Sequence, residues 1–115
     1  MPIKIEEYIS GGQKNYYAEW FNDLSVEYAA KVAAARARMM AGSFGNIKSI
    51  DGTLKEYRID WGPGIRIYLI QDGDVFIVLL GGGTKNSQAA DIRQAKKLRD
   101  EYDARKAMLK KSQKG

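Results

Sequence analysis

The chain has 115 residues, a formal net charge of +5, and neither cysteine nor histidine. That length supports one hydrophobic core. The missing residues exclude a disulfide framework, a thiolate metal site, zinc hydrolysis in its usual form and every His-based triad, so no metal or cofactor is expected.

Residues 3–10, "IKIEEYIS", alternate Ile3, Ile5 and Ile9 with polar neighbours and read as a first strand, broken by Gly11-Gly12. In "NYYAEWFNDL" (15–24), Tyr17, Trp20, Phe21 and Leu24 recur at i, i+3, i+4, i+7, one apolar helix face. Ser25 is an N-cap and Glu27 a first-turn acid for a second helix, with Tyr28, Val32, Ala35 and Met39 on one stripe and Gly42 as its stop. So short a connection folds the two helices into a hairpin. After Gly45 the period changes, and "NIKSI", "LKEYRID", "IRIYLI" and "VFIVLL" read as four strands separated by "DGT", "WGPG" and "QDGD". Asp72-Gly73 is a hairpin signal, and Val75–Leu80, apolar throughout, predicts a strand covered on both faces. The last segment, from Ser87, is helical, with Ile92, Ala95, Leu98 or Arg99, Tyr102 and Leu109 near one side and fraying expected beyond Lys110.

The expected fold class is therefore α+β: an N-terminal strand, a helical hairpin, an antiparallel meander and a C-terminal helix on one sheet. It forms one domain over residues 1–110, with 111–115 as a basic tail. Charge divides unevenly along it. Residues 81–115 carry ten Lys/Arg against four Asp/Glu, while residues 1–80 carry nine against ten. A basic segment on a nearly neutral body fits a polyanion partner, although a solvated helix gives the same count.

"LLGGGTKNS" (79–87) resembles a phosphate-binding loop only superficially. A P-loop requires Gly-x-x-x-x-Gly-Lys-Ser/Thr, and here Thr84 precedes Lys85 and Asn86 follows it. The remaining readings are a glycine-rich exit from a buried strand and a sheet-edge lysine that meets nucleic-acid phosphate.

Three stretches taken together, "EWFNDL", "GSFGNIKSI" and the pair "YRIDWGPGIRIY" with "LLGGGTKNSQAADI", resemble the RelE/ParE superfamily of toxins. Within it they are most similar to the HigB-like, phage-derived addiction-module killer proteins, over roughly residues 15 to 100. The resemblance implies a growth-arresting toxin of a type II toxin–antitoxin module. It implies an endoribonuclease that cleaves mRNA, often on the ribosome, held inactive by a helix-turn-helix antitoxin through which the pair binds operator DNA. It further implies cytoplasmic action, with which the absence of a signal-peptide pattern or apolar span agrees. The ParE branch shares the fold but inhibits DNA gyrase, and a non-catalytic antitoxin- or nucleic-acid-binding module is the remaining alternative.

Metal-free RNA cleavage by the 2′-hydroxyl needs a proton acceptor and cations on the phosphate, for which arginine's planar fork is suited. By resemblance Arg66 takes the scissile phosphate, with Arg58 on the facing strand and Lys85 after the last strand. The alternative for each arginine is an ion pair with Glu56 or Asp60. Arg58 and Arg66 share a sheet face if the turn spans Gly62–Gly64, and lie on opposite faces if it begins at Trp61. The histidine or last-helix tyrosine of characterised relatives has no counterpart at the expected place. Glu56, Asp91 or a lysine is left as proton acceptor, with Gln88 orienting the phosphate. Tyr68 either stacks on a base or is a half-buried sheet residue, and the run from Arg93 to Lys111 either contacts RNA or is a solvated face.

Overall fold

The computed structural model describes residues 2–73 and 75–114, with side chains through Ser112. The elements run β1 (Lys4–Glu7), α1 (Tyr16–Asn22), α2 (Val26–Met40), β2 (Ile47–Asp51), β3 (Leu54–Ile59), β4 (Ile65–Asp72), β5 (Phe76–Thr84) and α3 (Gln88–Lys114), with a single 3₁₀ turn at Lys85–Ser87 before α3. The strands form one five-stranded sheet in the order β1-β5-β4-β3-β2. Strands β2 to β5 are an antiparallel meander, and β1 closes the other edge, parallel to the first half of β5. The α+β class and the element order expected from the sequence are those observed.

Alternation along the strands sends residues to two separate cores. Tyr57, Ile59, Ile65, Ile67, Leu69, Ile77 and Leu79 meet Tyr17 of α1 and Val32, Ala35 and Met39 of α2 on one face. Leu54, Tyr68, Ile70, Val78 and Leu80 meet Ala95 and Leu98 of α3 on the other. The apolar run in β5 is thus covered on both sides, as its composition requires. Asn15 caps α1, its Oδ1 accepting from Ala18 N at 2.9 Å, and Ser25 caps α2, its Oγ accepting from Tyr28 N at 3.4 Å. Gly42, at φ +87°, takes the left-handed conformation just beyond the end of α2.

Several boundaries differ from expectation. The first strand is four residues rather than eight, because the chain turns away after Glu7. β5 does not exit at the glycines but carries Gly81, Gly82 and Gly83 inside it, opposite Tyr68, Ile67 and Arg66. α3 is helical to Lys114, past Lys110, where fraying was placed. Leu109, assigned to the packed stripe of α3, is 65% exposed. The reason is length: 27 helical residues span about 40 Å at ~1.5 Å per residue, so the end of α3 overhangs the sheet. Asp74 of the "QDGD" turn lies outside the described residues. Gly73, at φ +75°, supplies the conformation the hairpin needs.

Among the described residues no helix is long and apolar enough to cross a membrane.

Candidate functional site

The β3–β4 connection sets the geometry of the arginines. Ile59 pairs with Ile65, so the loop between them has five residues, and Arg58 stands directly opposite Arg66 on the same face. Trp61 closes the turn, its carbonyl accepting from Gly64 N at 3.1 Å, and Gly62 and Gly64 take φ of +59° and +80°. Side chains resist that region, which is why "WGPG" is glycine at both places. The Trp61 ring is anchored edge-on against Tyr28 of α2, centroids 5.1 Å apart.

Glu56 pairs with Tyr68 on the same face, two residues before Arg58. Its side chain is only 4% exposed and receives Arg58 Nε and Nη2 on Oε1 at 3.2 and 3.1 Å. Arg66 Nε approaches the other oxygen, Oε2, at 3.2 Å. That approach is an ion pair by distance, but its geometry is not that of a hydrogen bond, and both Arg66 Nε and Glu56 Oε2 remain unbonded. One buried carboxylate therefore steadies two guanidinium groups. Arg58 is half exposed at 52%, while Arg66 is recessed at 12% with unspent donors.

Lys85 joins this pair from the end of β5. Its backbone N–H donates to Gly64 O at 3.1 Å, tying the start of the 3₁₀ turn to the β3–β4 loop. Its side chain is exposed and makes no ion pair among the described residues. The glycines before it are close-packing positions rather than a cradle. A Cβ on Gly82 would enter the Trp20 ring, and one on Gly83 would collide with the Asp91 carboxylate. Asp91 lies across Gly83, which pairs with Arg66, and accepts from Ser87 Oγ at 2.5 Å.

Glu56, Arg58, Arg66, Lys85 and Asp91 are thus gathered at one end of the sheet face under α3. Three other candidates fare differently. Tyr68 is 1% exposed, so its ring offers no face to a passing base; it is a buried sheet residue. Burial, then the charges of Glu56 and Asp91, push its hydroxyl pKa up to about 12. Gln88 begins α3, half-buried, with no side-chain hydrogen bond among the described residues. Arg93 is exposed and sits about 200° round α3 from Asp91, off the sheet-facing side. Glu56, one of the residues left as proton acceptor, has both oxygens turned to arginines beneath the surface. Sequence reasoning overlooked Tyr16 and Gln94 and read Trp20 only as part of an apolar helix face; all three meet Tyr68 and the glycines of β5 around a small cavity. The signal was available in Gln94, three residues after Asp91 and so on the same side of α3.

Fold and site together define an α+β protein with a carboxylate-steadied arginine pair at one end of its sheet. The chain is 41% identical over 86 residues to an uncharacterized protein of Haemophilus influenzae, a match covering 74% of this chain and 87% of that protein. It belongs to the same family as that protein. No model of a known protein family matches it.

Proposed function

We propose that the protein is a toxin of the RelE/ParE kind that arrests growth by cleaving mRNA during translation. The observation that carries this reading is Arg66: a recessed guanidinium with its Nε unbonded among the described residues, beside the more exposed Arg58 and the exposed Lys85. Three cations against the buried Glu56 and Asp91 leave the cluster net positive, suited to a phosphodiester. An arginine held at 12% exposure is already partly desolvated, so a phosphate there meets a stronger field than on open surface.

In the proposed reaction the ribose 2′-oxygen bonds to phosphorus, the bond from phosphorus to the 5′-oxygen breaks, and a 2′,3′-cyclic phosphate remains. Arg66 and Arg58 stabilise the charge that builds on the phosphoryl oxygens, and Lys85 meets the leaving side of the chain. Glu56 fixes the two guanidinium groups and takes no proton. The 2′-hydroxyl proton passes to solvent, the departing 5′-oxygen takes a proton from solvent to leave as a 5′-hydroxyl, and lack of a strong base costs about two to four powers of ten in rate. Such an enzyme depends on alignment of its substrate, which a translating ribosome provides. The same reading implies action in the cytoplasm and control by a helix-turn-helix antitoxin that carries the pair to operator DNA.

Induced expression in a bacterial host tests the proposal. The wild-type chain arrests growth with loss of mRNA, and Arg66→Ala, at matched expression and unchanged circular dichroism, does not. Unimpaired growth with the wild-type chain overturns the reading in favour of a non-catalytic module. Arrest with DNA damage and intact mRNA overturns it in favour of a gyrase inhibitor.

A further inference from the structure

β1 pairs only with residues Phe76 to Leu79 of β5, so the second half of β5 has no strand on its outer side. α1 covers that edge instead, with Trp20 against Gly82. The register of β4 and β5 slips between Tyr68 and Leu69, and Gly81, which follows the slip, has no side chain to fill the space beside Tyr68. A cavity of about 150 Å³ results, lined among others by Tyr16, Trp20, Tyr68, Gly81, Asp91 and Gln94. The Tyr68 hydroxyl is buried there with no hydrogen-bond partner among the described residues. A buried, unpaired hydroxyl costs stability, and one that faces an open cavity is satisfied by whatever polar group fills it.

We infer that this cavity is a pocket for one pyrimidine base bearing an exocyclic amino group, a cytosine, in the RNA strand whose phosphate lies at Arg66. A cavity of ~150 Å³ is known to hold one benzene ring, so a single six-membered ring fits and a purine does not enter fully. The lining specifies the ring's edge. Asp91 is an acceptor and faces an amino group, which cytosine has and uracil replaces with a carbonyl. Tyr68 O–H and the Gln94 amide donate to the ring's acceptors. Tyr16 and Trp20 supply aromatic cover for the ring. Arg66 precedes Tyr68 by two residues on the same strand face, about 7 Å at ~3.4 Å per residue, the scale separating a base from its own phosphate.

The inference rests on the RNA-phosphate reading, but the pocket is testable without phosphate. Cytidine, uridine and adenosine are titrated separately into the full chain while the amide signals of Gly81 and Gly82 and the Trp20 indole are followed by NMR. Cytidine moves these signals, uridine binds about tenfold more weakly, and adenosine more weakly again. Tyr68→Phe, which removes only an unbonded hydroxyl, keeps the fold and weakens cytidine about tenfold. Asp91→Asn narrows the gap between cytidine and uridine. Equal responses to all three nucleosides, or undiminished cytidine binding in Tyr68→Phe, overturn the pocket and leave the hydroxyl to a buried water. Cytidine 3′- and 5′-monophosphates separate the two readings. A phosphate gain lost in Arg66→Ala, with cytidine binding kept, supports both. Cytidine binding with no phosphate gain keeps the pocket and sinks the phosphate site.

Discussion

Beneath α2 the sheet buries Val32, Ala35 and Met39 completely against Tyr57, Ile67 and Leu69. Beneath α3, a helix nearly twice as long, Ala95 and Leu98 are the helix's only buried side chains among the described residues. Much of α3 is fastened by polar contacts at the rims instead. Arg99 reaches Asp51 Oδ2 at 2.6 Å, Lys106 and Tyr102 reach Asp72 Oδ2 at 2.6 and 2.8 Å, and Glu101 takes Tyr8 OH at 2.5 Å and Gly11 N at 2.8 Å. One face is closed by hydrocarbon, and the other is pinned at points with an opening at the end where Arg66, Asp91 and the cavity lie. A sheet whose one side is rigid can spare its other side for polar groups that a sealed core would not tolerate.

On the proposed reading the open face carries the activity. Arg66→Ala is expected to lower RNA cleavage about 100- to 1000-fold, the scale of removing a principal charge stabiliser, with thermal unfolding little changed; a retained rate measured on a labelled RNA contradicts the site. Met39→Ala, on the closed face, costs about 2–5 kcal/mol in urea unfolding. Glu56→Gln leaves two cations around a buried neutral amide and costs about 3 kcal/mol. On the proposed reading Glu56 positions the arginines and takes no proton, so the pH–rate profile of that variant keeps its shape, and a changed shape contradicts that role.

Acid sharpens the difference between the faces. Hydrogen bonds from Lys106 and Tyr102 hold the Asp72 pKa below the usual carboxylate value, the Arg99 bond does so for Asp51, and the Tyr8 and Gly11 bonds for Glu101. Depressed folded-state values mean that this stabilisation is present above the unfolded pKa, about 4, and is lost as pH falls through the folded values. These groups are largely solvated, so the effect is small. Among the described residues α2 has one such anchor, Arg36 to Glu7 at 2.8 Å, over a buried apolar seam. Hydrogen exchange below about pH 4 is therefore expected to rise in α3 before α2, and simultaneous loss in both helices contradicts the division. Smallest of all, Leu109→Ala on the overhang changes stability by less than about 0.5 kcal/mol.

The fold was legible because its signals are local and periodic: the stripe Val32, Ala35, Met39, the Ser25 cap, and the glycines of "WGPG" at left-handed φ. Parallel pairing of β1 with β5 was not, since it joins residues some seventy positions apart and no local pattern fixes it. At the site, the shared face of Arg58 and Arg66 turned on loop parity that the sequence left open. Whether Tyr68 stacks or is buried was left open as well, because a strand tyrosine looks the same whether or not a helix lies over it. The glycine run was understood only when Trp20 and Asp91 were found against it, contacts made by side chains from two distant helices.

On the proposed reading a phosphate of translated mRNA sits on Arg66. Purified protein added to a cell-free translation reaction, with new mRNA 5′ ends mapped in the presence and absence of ribosomes, tests it most directly. Cuts within translated codons that need ribosomes and vanish with Arg66→Ala are expected. Intact mRNA and undiminished protein synthesis at full wild-type dose would contradict it.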